Sequence, residues 1–407
     1  MKLFHSVLAA LAIAAVLTGC GGGSSATDET SGGGSTTLSA QAQLGRKIFA
    51  DPSLSASGKQ SCASCHDPNN GHAPTNSLAA QFGGPDLNLQ GSRVAPGIRY
   101  LQTNTAFYFA ADGTPTGGFF WDGRASSLAE QAKGPFLNPV EMANASTADV
   151  VTKLTATAYA QEFRAVFGQD IFSRPDDAFE RMALAVQQYE IEDSHFHPYS
   201  SKYDAFLRGQ TTLTAQEQRG LALFNSPTKG NCAACHPSAQ SPDGKFPLFT
   251  DFTYDNLGLP RNMELGQNAD PNYYDLGLCA RGTPDVAQRG DLCGAFKVPS
   301  LRNVALRKAL FHNGVFKNLR DAVTFYVQRD TNPEKWYPLK ADGSVDKFND
   351  LPPEYRKNVN TLEVPYNRPL GGTPALSDSE IEDVIAFLNT LTDGWSNTTG
   401  ATSASGQ

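Results

Sequence analysis

The chain has 407 residues and a formal net charge of −8, so it is long enough for two domains that each have a hydrophobic core. The acidic balance argues against a nucleic-acid partner and is compatible with docking on a basic protein surface. Beyond residue 20, no stretch approaches the roughly 18 uninterrupted apolar residues that a membrane-spanning helix needs.

The N-terminus has the parts of a bacterial lipoprotein signal. Lys2 precedes an apolar run over residues 7–17, which ends in the tetrapeptide LTGC. We expect residues 1–19 to be removed and Cys20 to carry lipid, which would anchor the mature chain to a membrane. A plain secretory peptide with an unrelated cysteine is the alternative, and both interpretations send the chain to the periplasm. Residues 20–38, rich in Gly, Ser and Thr, are then a flexible spacer.

Helical patterns come next and predict a mainly α fold. The segments Ser39–Phe49 and Thr214–Phe224 begin with helix-capping residues, and Thr214 forms a capping-box pattern with Glu217. Both segments end in Gly-x-x-x-Phe, starting at Gly45 and Gly220, which we interpret as an internal duplication. Further helices are expected at 149–167, 175–199 and 377–391.

Each duplicated segment precedes a Cys-x-x-Cys-His motif, at residues 62–66 and 232–236. This motif is the attachment signature for c-type haem, in which both thiols add to the haem vinyl groups and the His ligates the iron. Two copies in an exported chain predict two covalent haems. They would be held by Cys62, Cys65 and His66 and by Cys232, Cys235 and His236.

The repeated helix–loop–motif unit predicts two cytochrome c-type haem domains with long irregular loops. A boundary near residue 205 would separate an N-terminal haem domain at 39–205 from a C-terminal haem domain at 206–395. Residues 249–296 lack periodicity, and such excursions are usually functional or docking surfaces. Residues 396–407 are predicted to be a disordered tail, because they are rich in Ser, Thr and Gly.

The cysteine count predicts a disulfide. Of seven cysteines, Cys20 would carry lipid and four would carry haem, which leaves Cys279 and Cys293 fourteen residues apart. Two spare thiols in an oxidising compartment usually pair. The alternative is two separate buried thiols.

The stretch 120–142 contains the groups that decide which kind of cytochrome this is. A haem that only carries electrons has both axial positions filled, whereas peroxide activation needs an open position with polar groups above it. The segments FWDGRA (120–125), EQA (130–132) and GPFLNPVEM (134–142) closely resemble the bacterial diheme cytochrome c peroxidase/MauG superfamily. The resemblance covers roughly residues 40–395.

This resemblance implies roles for individual side chains. His66 would be the proximal ligand of a peroxidatic haem, and its distal pocket would be lined by Gln131, Pro135 and Glu141. Glu141 would be the acid/base, Gln131 would orient hydrogen peroxide, and Pro135 would limit access. Trp121 would relay electrons between the haems. Each could instead be an ordinary core or surface residue, but their joint spacing favours the functional interpretation.

The sixth ligand of the second haem separates the branches of the superfamily. In its peroxidases a Met ligand lies fourteen residues after the His that matches His312, and Tyr326 occupies that position here. A phenolate favours ferric iron and supports Fe(IV), whereas a thioether favours ferrous iron. The resemblance therefore implies a MauG-like enzyme that stores two oxidising equivalents as a bis-Fe(IV) state. Tyr326 as a helix-packing residue is the alternative.

Two departures from the family pattern concern further ligands. Relatives usually have an Arg-Asn-Ala-Pro motif that helps to bind calcium between the haems, but Val94 replaces the Asn here, and Lys297 stands where Thr is frequent. Calcium is therefore doubtful, although a site of carbonyls and water stays open. His72, six residues after His66, is either a second ligand of the first haem or a loop residue.

Together these features predict a periplasmic diheme oxidoreductase, anchored by lipid at Cys20, that uses hydrogen peroxide to oxidise a side chain of a partner protein by long-range electron transfer. Residues 255–262, 273–279 and 329–338 resemble MbnH-type enzymes, which oxidise a partner Trp to kynurenine. One alternative is a cytochrome c peroxidase fed by a small cytochrome or cupredoxin, which the missing Met disfavours. The other is a non-enzymatic electron-transfer cytochrome, which Gln131 and Glu141 disfavour.

Overall fold

A computed structural model describes residues 37–397, so the expected signal peptide, Cys20 and most of the expected tail lie outside the described residues. Regular structure in this range is mainly helical, which confirms the predicted fold class. The α-helices are α1 Ala40–Ala50, α2 Cys62–Cys65, α3 Leu128–Leu137, α4 Thr147–Thr155, α5 Ala160–Phe167, α6 Pro175–Glu192, α7 Lys202–Leu207, α8 Ala215–Asn225, α9 Leu319–Gln328 and α10 Asp378–Asn389.

Strands in the described range are short, with two residues each, and pair as three separate antiparallel ladders. Each ladder joins two short segments of otherwise irregular chain. The pairs are β1 Phe82–Gly83 with β2 Leu89–Gln90, β3 Tyr108–Phe109 with β4 Pro115–Thr116, and β5 Tyr254–Asp255 with β6 Phe296–Lys297.

The first hydrophobic core is built around α6, which packs against α1, α3 and α4. Helix α1 begins where expected, because the Ser39 hydroxyl accepts a hydrogen bond from the Ala42 amide at 3.1 Å. Gly45 faces α6 so closely that a Cβ there would overlap the carbonyl of Ala185. Phe49, one turn later, is buried in this core.

The second core repeats this arrangement with α8 and α10. Thr214 and Glu217 form the expected capping box at the start of α8. A Cβ on Gly220 would overlap the carbonyl of Asp383 in α10, and Phe224 is buried between the two helices. The Gly-x-x-x-Phe element therefore has one packing role in both halves: it brings a partner helix close and buries an aromatic ring.

The described residues from Leu38 to Asn397 form one compact unit that contains both cores. Members of the first core lie between residues 44 and 196, and those of the second between 203 and 391. The domain boundary near residue 205 stays a prediction.

Two expected helices differ from the observed ones. The expected helix at 149–167 is interrupted between α4 and α5, where the Thr157 hydroxyl donates to the Leu154 carbonyl and ends the first helix. The expected helix at 175–199 stops at Glu192, because the Asp193 carboxylate caps the next turn by accepting from the His195 amide.

The excursion at 249–296 is irregular, as expected, and is closed by a Cys279–Cys293 disulfide, which confirms that prediction. The remaining cysteines of the described range, all four in the Cys-x-x-Cys-His motifs, form no disulfide. Within residues 37–397, every helix is too short or too polar to cross a membrane.

Candidate functional site

The first Cys-x-x-Cys-His motif forms a single helical turn, α2, after which the chain turns back. The His66 amide donates to the Cys62 carbonyl at 2.9 Å, so His66 directly caps the turn that carries both cysteines. Burial, together with the positive charge of Arg307, lowers the pKa of His66 to about 4. The imidazole is therefore neutral, which is the form that binds a metal.

The three expected distal residues lie on α3 and on the turn that follows it. Gln131 and Pro135 are one helical turn apart, so they lie on the same face of α3. The Met142 amide donates to the Pro135 carbonyl at 3.0 Å, which folds the turn back onto the helix. The Gly84 amide then donates to the Glu141 carbonyl at 2.8 Å, so the residue that follows β1 holds this turn in place.

Glu141 lies beside the first motif. Burial raises the pKa of Cys65 to about 11, and the negative charge of Glu141 adds to the rise. Burial also raises the pKa of Glu141, while the positive charge of Arg124 and a hydrogen bond from Asn138 oppose that rise. A carboxyl group with a raised pKa is suited to accept a proton and return it.

Trp121 is fixed at both its side chain and its backbone. The indole N–H donates to the Val94 carbonyl at 2.8 Å, and the Trp121 carbonyl accepts from the Lys297 amide at 2.8 Å. The next residue, Asp122, pairs with Arg93 at 2.7 Å. These bonds hold the Trp121 ring at the wall of the cavity described next.

The second motif opens onto a cavity of about 290 Å³. The His236 Nδ1 donates to the Phe249 carbonyl at 2.7 Å, so Nε2 is left free to bind iron, as in most metal-ligating histidines. Cys232 and Cys235 line the same cavity, and Trp121 lines it as well.

Tyr326, on α9, also lines this cavity. Its ring lies 5.5 Å from Phe311 and is stacked 5.9 Å from Tyr366. Burial raises the pKa of Tyr326, and the nearby charge of Asp255 adds to the rise, so the phenol keeps its proton unless a cation stabilises the phenolate.

The methionines of the described range lie elsewhere. Met142 and Met182 are buried in the first core, and Met263 is 66% exposed. None lines the cavity at the second motif.

The residues around the second motif fit a haem. The cavity walls are predominantly apolar, as a porphyrin face requires, and His236 and Tyr326 both line them. Arg307 also lines the cavity, and its buried Nη1 has no partner among the described residues. A haem carries carboxylates that can accept from such a donor.

The residues do not fit a calcium site. The Val94 carbonyl already accepts from Trp121, and the buried ammonium of Lys297 donates to the Gly118 carbonyl at 2.5 Å. A lysine side chain, which offers no oxygen ligand, thus lies where calcium would need roughly six.

Sequence reasoning assigned no role to three further groups at the site. Arg307 belongs to none of the quoted motifs, and Lys297 stands out in the sequence only as a departure from the family pattern, whereas the structure buries both beside the cavity. The His312 ring stacks on Phe296 at 3.4 Å, although the sequence marked His312 only as part of a family signature.

Comparison with known proteins agrees with this geometry. The family described as di-haem cytochrome c peroxidase matches residues 39–212. The methylamine utilization protein MauG of Paracoccus denitrificans is 38% identical over 368 residues, which are 87% of this chain and 89% of that protein. The cytochrome c551 peroxidase of Nitrosomonas europaea is 32% identical over 285 residues, which are 69% and 71% of the two chains.

Solved structures show the same relationship. The diheme peroxidase BthA from Burkholderia thailandensis superposes with a TM-score of 0.81 at 40% identity, over 87% of this chain and 86% of that one. A MauG-like protein associated with microbial copper homeostasis gives a TM-score of 0.62 at 26% identity, over 88% and 91% of the two chains. The chain therefore belongs to the diheme cytochrome c peroxidase/MauG family of oxidoreductases, whose members carry two c-type haems.

Proposed function

We propose that this oxidoreductase uses hydrogen peroxide to withdraw electrons from a side chain of a partner protein, through a second haem that is ligated by tyrosine. The observation that carries the proposal is the position of Tyr326. It lines the same cavity as His236, and the methionines of the described range lie outside that cavity. A phenolate disfavours the ferrous state that a peroxidase needs at this haem.

The proposed attachment residues fall into two sets. Cys62 and Cys65 would bind the first haem through thioethers, with His66 as its iron ligand, and when bound each haem supplies a site for one-electron chemistry. The second set is Cys232, Cys235 and His236, with Tyr326 as the sixth ligand.

Proton movement at the first haem would be the task of α3 and its following turn. The Glu141 carboxylate would take the proton from one oxygen of hydrogen peroxide and deliver it to the oxygen that leaves as water. The raised pKa of Glu141 supports this role, because it brings the two protonation states closer in free energy at neutral pH. Gln131 would orient the peroxide, and Pro135 would restrict access to it.

Electron movement between the haems would pass through Trp121. Its indole N–H is held by the Val94 carbonyl and its backbone by Lys297, so the ring has a fixed position at the cavity wall. A relay that is fixed in place does not have to be reoriented during the reaction.

The partner would be a protein, and we infer a Trp side chain as the target. Support for a protein partner comes from membership of the family that includes MauG, and support for Trp comes from the resemblance of residues 255–262, 273–279 and 329–338 to MbnH-type enzymes. The enzyme would work in the periplasm and be held at the membrane by lipid on Cys20, as the N-terminal sequence LTGC predicts.

A second candidate is a cytochrome c peroxidase that takes electrons from a small cytochrome or cupredoxin. The similarity to the cytochrome c551 peroxidase of Nitrosomonas europaea favours it. Family membership disfavours the third candidate, a non-enzymatic electron-transfer cytochrome.

A peptide-level experiment tests the proposed function. The diheme protein is incubated with hydrogen peroxide and a periplasmic extract of its source bacterium, and oxidised Trp residues are quantified by mass spectrometry. The proposal predicts peroxide-dependent oxidation of one protein that is absent with a Tyr326→Met variant. Equal oxidation with both enzymes would show that Tyr326 is not needed for the reaction. Consumption of peroxide only when a reduced cytochrome is supplied would favour the second candidate.

A further inference from the structure

His72 is a fully buried imidazole that none of the steps above uses. It lies on the loop after the first Cys-x-x-Cys-His motif, and its amide donates to the carbonyl of Asp67 at 2.9 Å. Its ring is packed against Phe196, with centroids 4.0 Å apart, and against Phe49 at 6.1 Å. The backbone of His72 has a φ of +52°, which L residues rarely adopt, so the loop holds this ring in place against local strain.

Arg99 determines which ring nitrogen of His72 carries the proton. Its Nε–H donates to the His72 Nδ1 at 3.2 Å. Its other two nitrogens donate to the Asp393 carboxylate and to the Pro68 carbonyl, each at 3.1 Å, which fixes the guanidinium. Because a guanidinium only donates, Nδ1 is the bare nitrogen and Nε2 carries the proton.

The Nε2–H of His72 is buried and has no partner among residues 37–397. Buried N–H groups nearly always have an acceptor. Asp67 directly follows His66, so its bond to the His72 amide closes a short loop that keeps the ring next to the first haem attachment site. A haem linked to Cys62 and Cys65 brings two acceptors, which are its propionate carboxylates.

We propose that the Nε2–H of His72 donates a hydrogen bond to a propionate of the first haem. His72 is then a positioning residue for that haem and not an iron ligand. Iron ligation would need a bare Nε2 and a proton on Nδ1, where the proton would face the N–H of Arg99. His72 is therefore neither a second iron ligand nor a loop residue without a function.

The hydrogen-bond path continues beyond Arg99 to the second haem cavity. The Asp393 carboxylate that accepts from Arg99 also accepts from the Asn303 amide at 2.6 Å, and both Arg99 and Asn303 line that cavity. His72 thus connects a propionate of the first haem to a network at the edge of the second.

The expected consequence is a change in reduction potential. A donor on a propionate draws negative charge away from the haem and so favours the ferrous over the ferric state. Removing that donor should lower the midpoint potential of the first haem and leave that of the second unchanged.

Two variants distinguish loss of the Nε2–H donor from a general disturbance of the fold. His72→Asn keeps an acceptor near the Nδ1 position and tolerates a positive φ, but its amide is too short to reach the Nε2 position. His72→Gln places an amide donor near the Nε2 position. Spectroelectrochemical titration of the diheme protein should show about a tenfold lower ferrous-to-ferric ratio at fixed potential for the first haem in His72→Asn, and recovery to within about threefold in His72→Gln.

Two results would overturn the proposal. One is an unchanged first-haem potential in both variants. The other is a crystal structure of the wild-type diheme protein in which Nε2 binds iron or a water molecule instead of a propionate oxygen. That structure also serves if His72→Asn fails to fold, and neither readout depends on peroxide activity or on the partner protein.

Discussion

The Lys297 amide donates to the Trp121 carbonyl at 2.8 Å, while the ammonium of the same Lys297 donates to the Gly118 carbonyl at 2.5 Å. One residue thereby holds both ends of the 118–121 segment. Burial lowers the pKa of Lys297 to about 7, and the negative charge of Asp122 opposes that fall. The chain thus places a lysine amino group beside the proposed relay.

We predict that the reaction of the diferric protein with hydrogen peroxide is unaffected by removal of calcium. Lys297→Met should slow electron sharing between the haems about 10- to 100-fold, because the Trp121 segment loses a fixed contact. Lys340→Met, at an exposed position, is the control. The measurement is stopped-flow absorbance with and without EDTA, and a chelator-sensitive wild-type protein would contradict the prediction.

Tyr326→Met should convert the second haem to one that is easily reduced, because a thioether favours ferrous iron. Its midpoint potential should rise, and the reaction with peroxide should then require prior reduction by one electron. Tyr326→Phe, which removes only the phenolic oxygen, should leave a vacant axial position with a different spectrum. A Met variant that reacts like wild type would show that Tyr326 is not a ligand.

Glu141→Gln should lower the rate constant for the reaction with hydrogen peroxide by about 10²–10⁴-fold, because the amide cannot take the peroxide proton. Both haems should remain bound, since Glu141 is not an attachment residue and affects Cys65 electrostatically. Glu130→Gln, on the exposed face of α3, is the matched control. Similar rate constants for the two variants would place the acid/base elsewhere.

Much of this fold was predictable because its signals are local. The caps at Ser39 and Thr214 and the spacing of Gly45 and Gly220 depend on residues within one or two helical turns. The break between α4 and α5 was missed because the hydroxyl of Thr157 competes for a carbonyl that a continuous helix would use.

The wider site was less predictable, because its groups meet only through tertiary packing. His72 and Arg99 are 27 residues apart, and Arg99 and Asp393 are 294 apart. No pattern in the sequence joins them. Because Arg99 donates to the Nδ1 of His72, the ring proton lies on Nε2, and this arrangement exists only in the folded protein.

Glu190 gives a prediction for stability. Burial raises its pKa to about 8, from an ordinary value near 4.5, so the folded state binds a proton that the unfolded state releases between these pH values. The stability that the protonated Glu190 carboxyl contributes to the folded state is fully present below pH 4.5 and is lost as the pH rises through 8. Glu190→Gln should therefore stabilise the protein at pH 9 by about 2–4 kcal/mol and have little effect at pH 4.5.

Urea unfolding of the diheme protein between pH 4.5 and 9 measures this difference. Glu354→Gln, at an exposed position, should show no such pH dependence. A constant difference between wild type and Glu190→Gln across this range would mean that the buried carboxyl has found a charged partner.

The central claim is that the Tyr326-ligated haem shares two oxidising equivalents with the first haem, and a peroxide titration tests it most directly. The fully ferric protein is treated with one equivalent of hydrogen peroxide and followed into the near infrared. The account predicts a long-lived charge-resonance band without prior reduction. No band in the ferric protein, together with peroxide turnover only after one haem is reduced, would contradict it and favour the cytochrome c peroxidase.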